Sequence, residues 1–106
     1  MDARTSTALL VDDDSASSLA TQRRLEDDGY SVVVARSGTE GLGRAKQTAP
    51  NVIFIHLVAN GQDRLGFIQA LRSDDSCRHI PVVVLTGRPT PTAKLKGLHG
   101  VNRERW

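Results

Sequence analysis

Short apolar runs alternate with polar stretches of helix length along this chain. The runs are Ala8–Val11, Val32–Ala35, Val52–Leu57 and Pro81–Leu85. They are rich in valine and isoleucine and nearly continuous, without the polar alternation of a half-exposed strand. Such runs suit strands buried on both faces, as in a parallel sheet covered by helices on each side. The intervening segments are long enough for crossover helices. The expected fold is therefore an α/β, single-domain, doubly wound parallel sheet with helices on both faces.

The polar segments carry their own start and stop signals. The first helix should begin near Asp14 or Ser15, either of which can cap it, and stop at Gly29. Ala16, Leu19 and Ala20 give it a narrow apolar face. The second carries a capping-box pattern, Ser37 followed three residues on by Glu40. It also holds Gly41 and Gly43, each costing roughly 1 kcal/mol against alanine in a helix interior. The third is expected from about Asp63 to Arg72, with Asp63 as its cap and Leu65, Ile68 and Leu71 at helical spacing. A fourth is expected from Thr92 to Leu98, after the breaker segment Arg88-Pro89-Thr90-Pro91. A fifth strand should follow Gly100, but Val101-Asn102-Arg103-Glu104-Arg105-Trp106 does not read as a buried strand. The expectation is a short or missing fifth strand. That would leave the fourth strand at a sheet edge, open to cover by the chain end or to self-association.

Composition narrows the class. The chain has 106 residues, enough for one core, and is 39% hydrophobic and 25% charged, as globular domains are. No apolar run is long enough to cross a bilayer, and Met1–Thr7 leads into no secretory segment, so a cytoplasmic location is expected. The formal net charge is only +2, with the basic residues scattered, and no recognition module is left over for nucleic acid. The single cysteine, Cys77, excludes an internal disulfide and a cysteine zinc cluster and reads as an incidental loop thiol.

The chemistry-bearing residues gather at strand ends. Asp12 and Asp13 end the first run, His56 ends the third and Thr86 follows the fourth. Asp14 is a third acid beside the pair, or simply a helix cap. His79 and His99 read as surface residues. Trp106 either frays or docks on an apolar surface.

Together these segments resemble the receiver domain of two-component response regulators, the CheY-like fold. The resemblance runs from about Ala8 to Val101. It rests on Leu10-Val11-Asp12-Asp13-Asp14, Asp28-Gly29-Tyr30, Ala35-Arg36-Ser37-Gly38-Thr39-Glu40-Gly41, Pro50 to Leu57, Asn60-Gly61-Gln62-Asp63 and Ile80 to Gly87, in the family's order and spacing. It implies that Asp12 and Asp13 are the metal-binding acid pair and Thr86 the switch hydroxyl. It places His56 where the family has the aspartate that becomes phosphorylated. The family's lysine would fall just beyond Trp106, and its switch aromatic at about Glu104.

That substitution changes the chemistry expected. Magnesium wants oxygen ligands in octahedral geometry, whereas imidazole suits zinc, copper or nickel, so magnesium binding should be weak or absent. Without an acceptor carboxylate no acyl phosphate forms. Two readings of His56 stand side by side. In one, the neighbouring carboxylates favour its charged form, and it sits as a built-in cation where the metal would be. In the other, it is neutral and hydrogen-bonded at a strand end. The function expected is a pseudo-receiver: a non-enzymatic signalling module of a two-component phosphorelay. It would meet a histidine kinase or output partner through protein–protein contact, on the face formed by the fourth helix and the chain end. The alternatives are an active phosphorelay receiver using another acceptor, and a small metal-binding protein.

Overall fold

The computed structural model describes residues 6–56, 61–86 and 101–105. Five parallel strands alternate with helices: β1 (Thr7–Asp12), α1 (Ser15–Asp27), β2 (Ser31–Ala35), α2 (Gly38–Thr48), β3 (Val52–His56), α3 (Gly61–Ser73), β4 (Val82–Thr86) and β5 (Val101–Arg105). Their order across the sheet is β2-β1-β3-β4-β5, so β1 and β3 lie at its centre. The doubly wound sheet expected from the apolar runs is thus the one formed.

Successive strand residues point to opposite faces, and each face has its own core. Leu9 and Val11 of β1, Ile53 and Ile55 of β3, and Val82 and Val84 of β4 join Ala45 of α2 and Phe67, Ile68 and Leu71 of α3. On the opposite face, Ala8 and Leu10 pack with Phe54, Leu85 and Leu25 of α1. Tyr30 meets Phe54 edge-on there, with ring centroids 5.9 Å apart.

Local chemistry sets the helix ends. Asp14 caps α1, its side chain accepting from the Ala16 N–H. Gly29 takes φ +101° and turns the chain towards β2. Ser37 caps α2, accepting from the Glu40 N–H at 3.1 Å, while Glu40 Oε1 accepts in return from the Arg36 N–H at 2.8 Å. Helix α3 begins at Gly61, so Asp63 lies inside it and is not its cap. Ile68 and Leu71 face the core as their spacing suggests, but Leu65 stays 38% exposed.

Two further expectations are corrected. A fifth strand is present and as long as β2, β3 and β4. It pairs with β4 in parallel, from Val82↔Val101 to Thr86↔Arg105. β5 is therefore the sheet edge, and β4 offers no edge for self-association. A polar string fails as a central strand but not as an outer one, where charged residues discourage further pairing. Cys77 is not an incidental loop thiol: it is wholly buried in the α2–α3 core, and its N–H donates to the Asp74 carbonyl. The expected helix at Thr92–Leu98, and with it the face it would form with the chain end, lies outside the described residues, as do His99 and Trp106.

Candidate functional site

The candidate site lies at the carboxyl end of the central strands. Asp12 and His56 are register partners, so the acid and the imidazole leave adjacent strands side by side. Asp12 is completely buried, and the His56 side chain is about one quarter exposed at 26%. Asp13, the next residue, is exposed at the end of β1.

A buried carboxylate needs its lone pairs filled. Asp12 Oδ1 accepts from the Asp14 N–H at 2.9 Å. Oδ2 accepts from the Ser17 hydroxyl at 2.7 Å and faces His56 Nδ1 at 3.3 Å. Ser17 Oγ itself lies 3.1 Å from the same Nδ1. Asp12, Ser17 and His56 thus form a closed triangle. No buried side-chain polar atom among the described residues is left without a partner.

Sequence reading found Asp12 and His56 but missed Ser17. The available signal was its position one helical turn after the cap, where a short hydroxyl can turn back to the strand end. The neighbouring Ser18 is also used. Its hydroxyl, buried, accepts from Arg36 Nη1 at 2.7 Å and donates to the Ser15 carbonyl at 3.1 Å. The start of α1 is therefore pinned to the ends of β1, β2 and β3.

The triangle has the residue types of a hydrolytic triad but not its wiring. Such a triad holds the acid on Nδ1 and the nucleophile on Nε2. Here both Asp12 and Ser17 meet Nδ1. A hydroxyl on that side of the ring cannot pass its proton to Nε2, so the arrangement is not a serine nucleophile with its base.

Thr86 ends β4 and pairs with Arg105. The register Ile55↔Val84 sets it one residue beyond the level of His56, at the same carboxyl edge. Glu104, the position to which the resemblance assigns an aromatic, pairs with Leu85. His79 is exposed, as expected of a surface residue, and Asp14 is spent on the cap.

The residues present do not fit magnesium. Both oxygens of Asp12 are engaged by protein donors, and the group beside it is a nitrogen. Among the described residues no cluster of three or more histidine, cysteine or acidic side chains converges as a metal site.

The profile of the response regulator receiver domain matches residues 8–101, nearly the whole chain. The chain belongs to that family. The receiver domain is 33% identical over 90 residues to YkoG, an uncharacterized transcriptional regulatory protein of Bacillus subtilis (strain 168), covering 85% of this chain and 39% of that protein. It is 30% identical over 90 residues to the response regulator PleD of Caulobacter vibrioides, covering 85% of this chain and 20% of that protein. This receiver domain therefore spans well under half the length of these relatives. Among solved structures it is similar to the N-terminal domain of a response regulator receiver protein from Methanoculleus marisnigri JR1, at 25% identity and a TM-score of 0.83, over 94% of this chain and 83% of that one. It is also similar to the phosphorylated cyanobacterial phytochrome response regulator RcpA, at 27% identity and a TM-score of 0.75, over 92% and 77% of the two chains. No helix among the described residues is long and apolar enough to cross a membrane.

Proposed function

We propose that this receiver domain is a pseudo-receiver: a signalling module that forms no aspartyl phosphate at position 56 and acts in the cytoplasm by contact with a histidine kinase or an output partner, not by catalysis. One observation carries the reading. The side chain beside Asp12, at the end of β3, is an imidazole within hydrogen-bond distance of that acid and of the Ser17 hydroxyl that holds it. An acyl phosphate needs a carboxylate oxygen to attack phosphorus, and phosphoryl transfer needs positioned cations to spread the moving charge. At this position the chain supplies neither the oxygen nor an open set of ligands for the metal, so magnesium uptake is weak or absent.

The test is incubation with acetyl phosphate, and separately with beryllofluoride and magnesium, followed by intact mass and by amide NMR. The expected result is no mass gain and no magnesium-dependent shift at Asp12 or Asp13. A stoichiometric phosphorylated species would overturn the reading in favour of an active receiver that uses another acceptor. A saturable shift with zinc or nickel alone would favour a metal-binding protein.

A further inference from the structure

The contacts around Asp12 fix where one hydrogen must lie. Asp12 Oδ2, Ser17 Oγ and His56 Nδ1 are mutually 2.7, 3.1 and 3.3 Å apart. The hydroxyl has a single hydrogen, and its shortest contact, to the carboxylate, takes it. Nδ1 then faces two oxygens that present only lone pairs. A bare Nδ1 would add a third lone pair to that point. The arrangement is satisfied only when Nδ1 carries a hydrogen and shares it between Oγ and Oδ2. Nε2, on the far side of the ring, is left out of the network.

We propose that Ser17 is a positioning residue that holds His56 as an Nδ1–H donor, and that the two together close Asp12 by occupying with hydrogen bonds the oxygen a divalent cation would take. The closure deepens the pseudo-receiver reading and rests on it. It explains why a nitrogen is tolerated beside a buried carboxylate at the centre of the sheet. A receiver site without its metal would leave Asp12 unneutralised. Here three donors, two from α1 and its cap and one from β3, satisfy that acid from within the chain. The start of α1 is thereby tied to β3 without any added ion. Replacing the histidine alone opens the site only in part, since Ser17 still holds Oδ2.

The experiment uses the whole chain. Ring nitrogen shifts of His56 are recorded above about pH 8, where an ordinary imidazole is neutral and shows its tautomer. The wild type is expected to carry hydrogen on Nδ1. S17A, which leaves only Asp12 Oδ2 to accept from the ring, should weaken that preference, and S17T, which keeps the hydroxyl, should keep it at the wild-type level. Magnesium is then titrated into H56D and into S17A/H56D, with the Asp13 amide as the probe. The double variant should bind magnesium roughly three- to tenfold tighter than H56D, the worth of one hydrogen bond to the carboxylate. A bare Nδ1 in the wild type overturns the proposal, and so does equal magnesium affinity in the two variants. Should S17A fail to fold, the wild-type and S17T ring signals still decide the matter. Phosphorylation of the wild type would sink the pseudo-receiver reading while leaving the ring assignment standing, so the two failures are distinguishable.

Discussion

Asp12 and His56 are lateral partners at the ends of β1 and β3, and the imidazole Nδ1 lies 3.3 Å from the buried Asp12 Oδ2. H56D removes that donor and sets a second carboxylate beside a completely buried one. The cost without metal should be about 1–3 kcal/mol, from the lost hydrogen bond and like-charge repulsion. Magnesium should recover part of that loss in H56D and change nothing in the wild type. Thermal melts with magnesium and with a chelator check both. Identical melts of H56D in the two conditions would mean that the acid pair no longer takes a metal at all.

How far the sequence exposed this site depended on where each signal lay. Asp12 and His56 stand where apolar strands stop, so the sheet alone brings them together. Ser17 was hidden because a run of small polar residues at a helix start reads as solvated surface; only the geometry shows its hydroxyl turning back to the strand end. β5 was hidden for the opposite reason. Its residues do not suit a buried strand, and an edge strand obeys different rules. The charged neighbours of Cys77 suggest a surface loop, whereas the turn over 74–80, with its hydrogen bonds back to Asp74, drives it inward.

Two interior glycines of α2, Gly41 and Gly43, look alike in sequence and should behave oppositely. A Cβ on Gly41 would come within 2.9 Å of Val11 Cγ2 and 3.0 Å of Phe67 Cε1, both buried side chains. Overpacking of this kind costs about 1–3 kcal/mol, against a helix-propensity gain of about 1 kcal/mol. G41A should therefore lose stability. Gly43 has nothing within 4 Å of such a Cβ, so G43A should gain up to about 1 kcal/mol. Urea midpoints of the two variants test the contrast.

Ala49 ends α2 in the left-handed region, at φ 45° and ψ 60°, with its N–H donating to the Ala45 carbonyl. That conformation costs an L-residue about 1–2 kcal/mol and glycine almost nothing. A49G should stabilise the domain by about 0.5–1 kcal/mol after the greater freedom of glycine in the unfolded chain is allowed for. Gly29, at φ +101°, should show the reverse: G29A meets no atom within 4 Å and still loses stability. Denaturation curves in which A49G is the less stable protein would count against the strain argument.

Asp74 supplies the pH-dependent element. Ser76 donates to Oδ1 from its hydroxyl at 2.6 Å and from its N–H at 2.9 Å, and Lys46 of α2 lies 3.1 Å from Oδ2. The Ser76 hydroxyl first, then Lys46, lower its pKa from 3.8 to about 2. A depressed carboxylate pKa means that the folded state binds the proton less readily than the unfolded chain. The contribution is therefore complete above 3.8 and is lost as the pH falls through that value towards about 2. D74N removes the titrating group, so its urea midpoint should vary less with pH across that window than the wild type's. The two midpoints should converge at the acid end, where the wild-type carboxyl is also neutral. S76A should flatten the profile more than K46M, because the hydroxyl is the larger of the two influences on the carboxylate. A wild-type profile as flat as that of D74N would show that the loop after α3 holds Asp74 less closely than these distances imply.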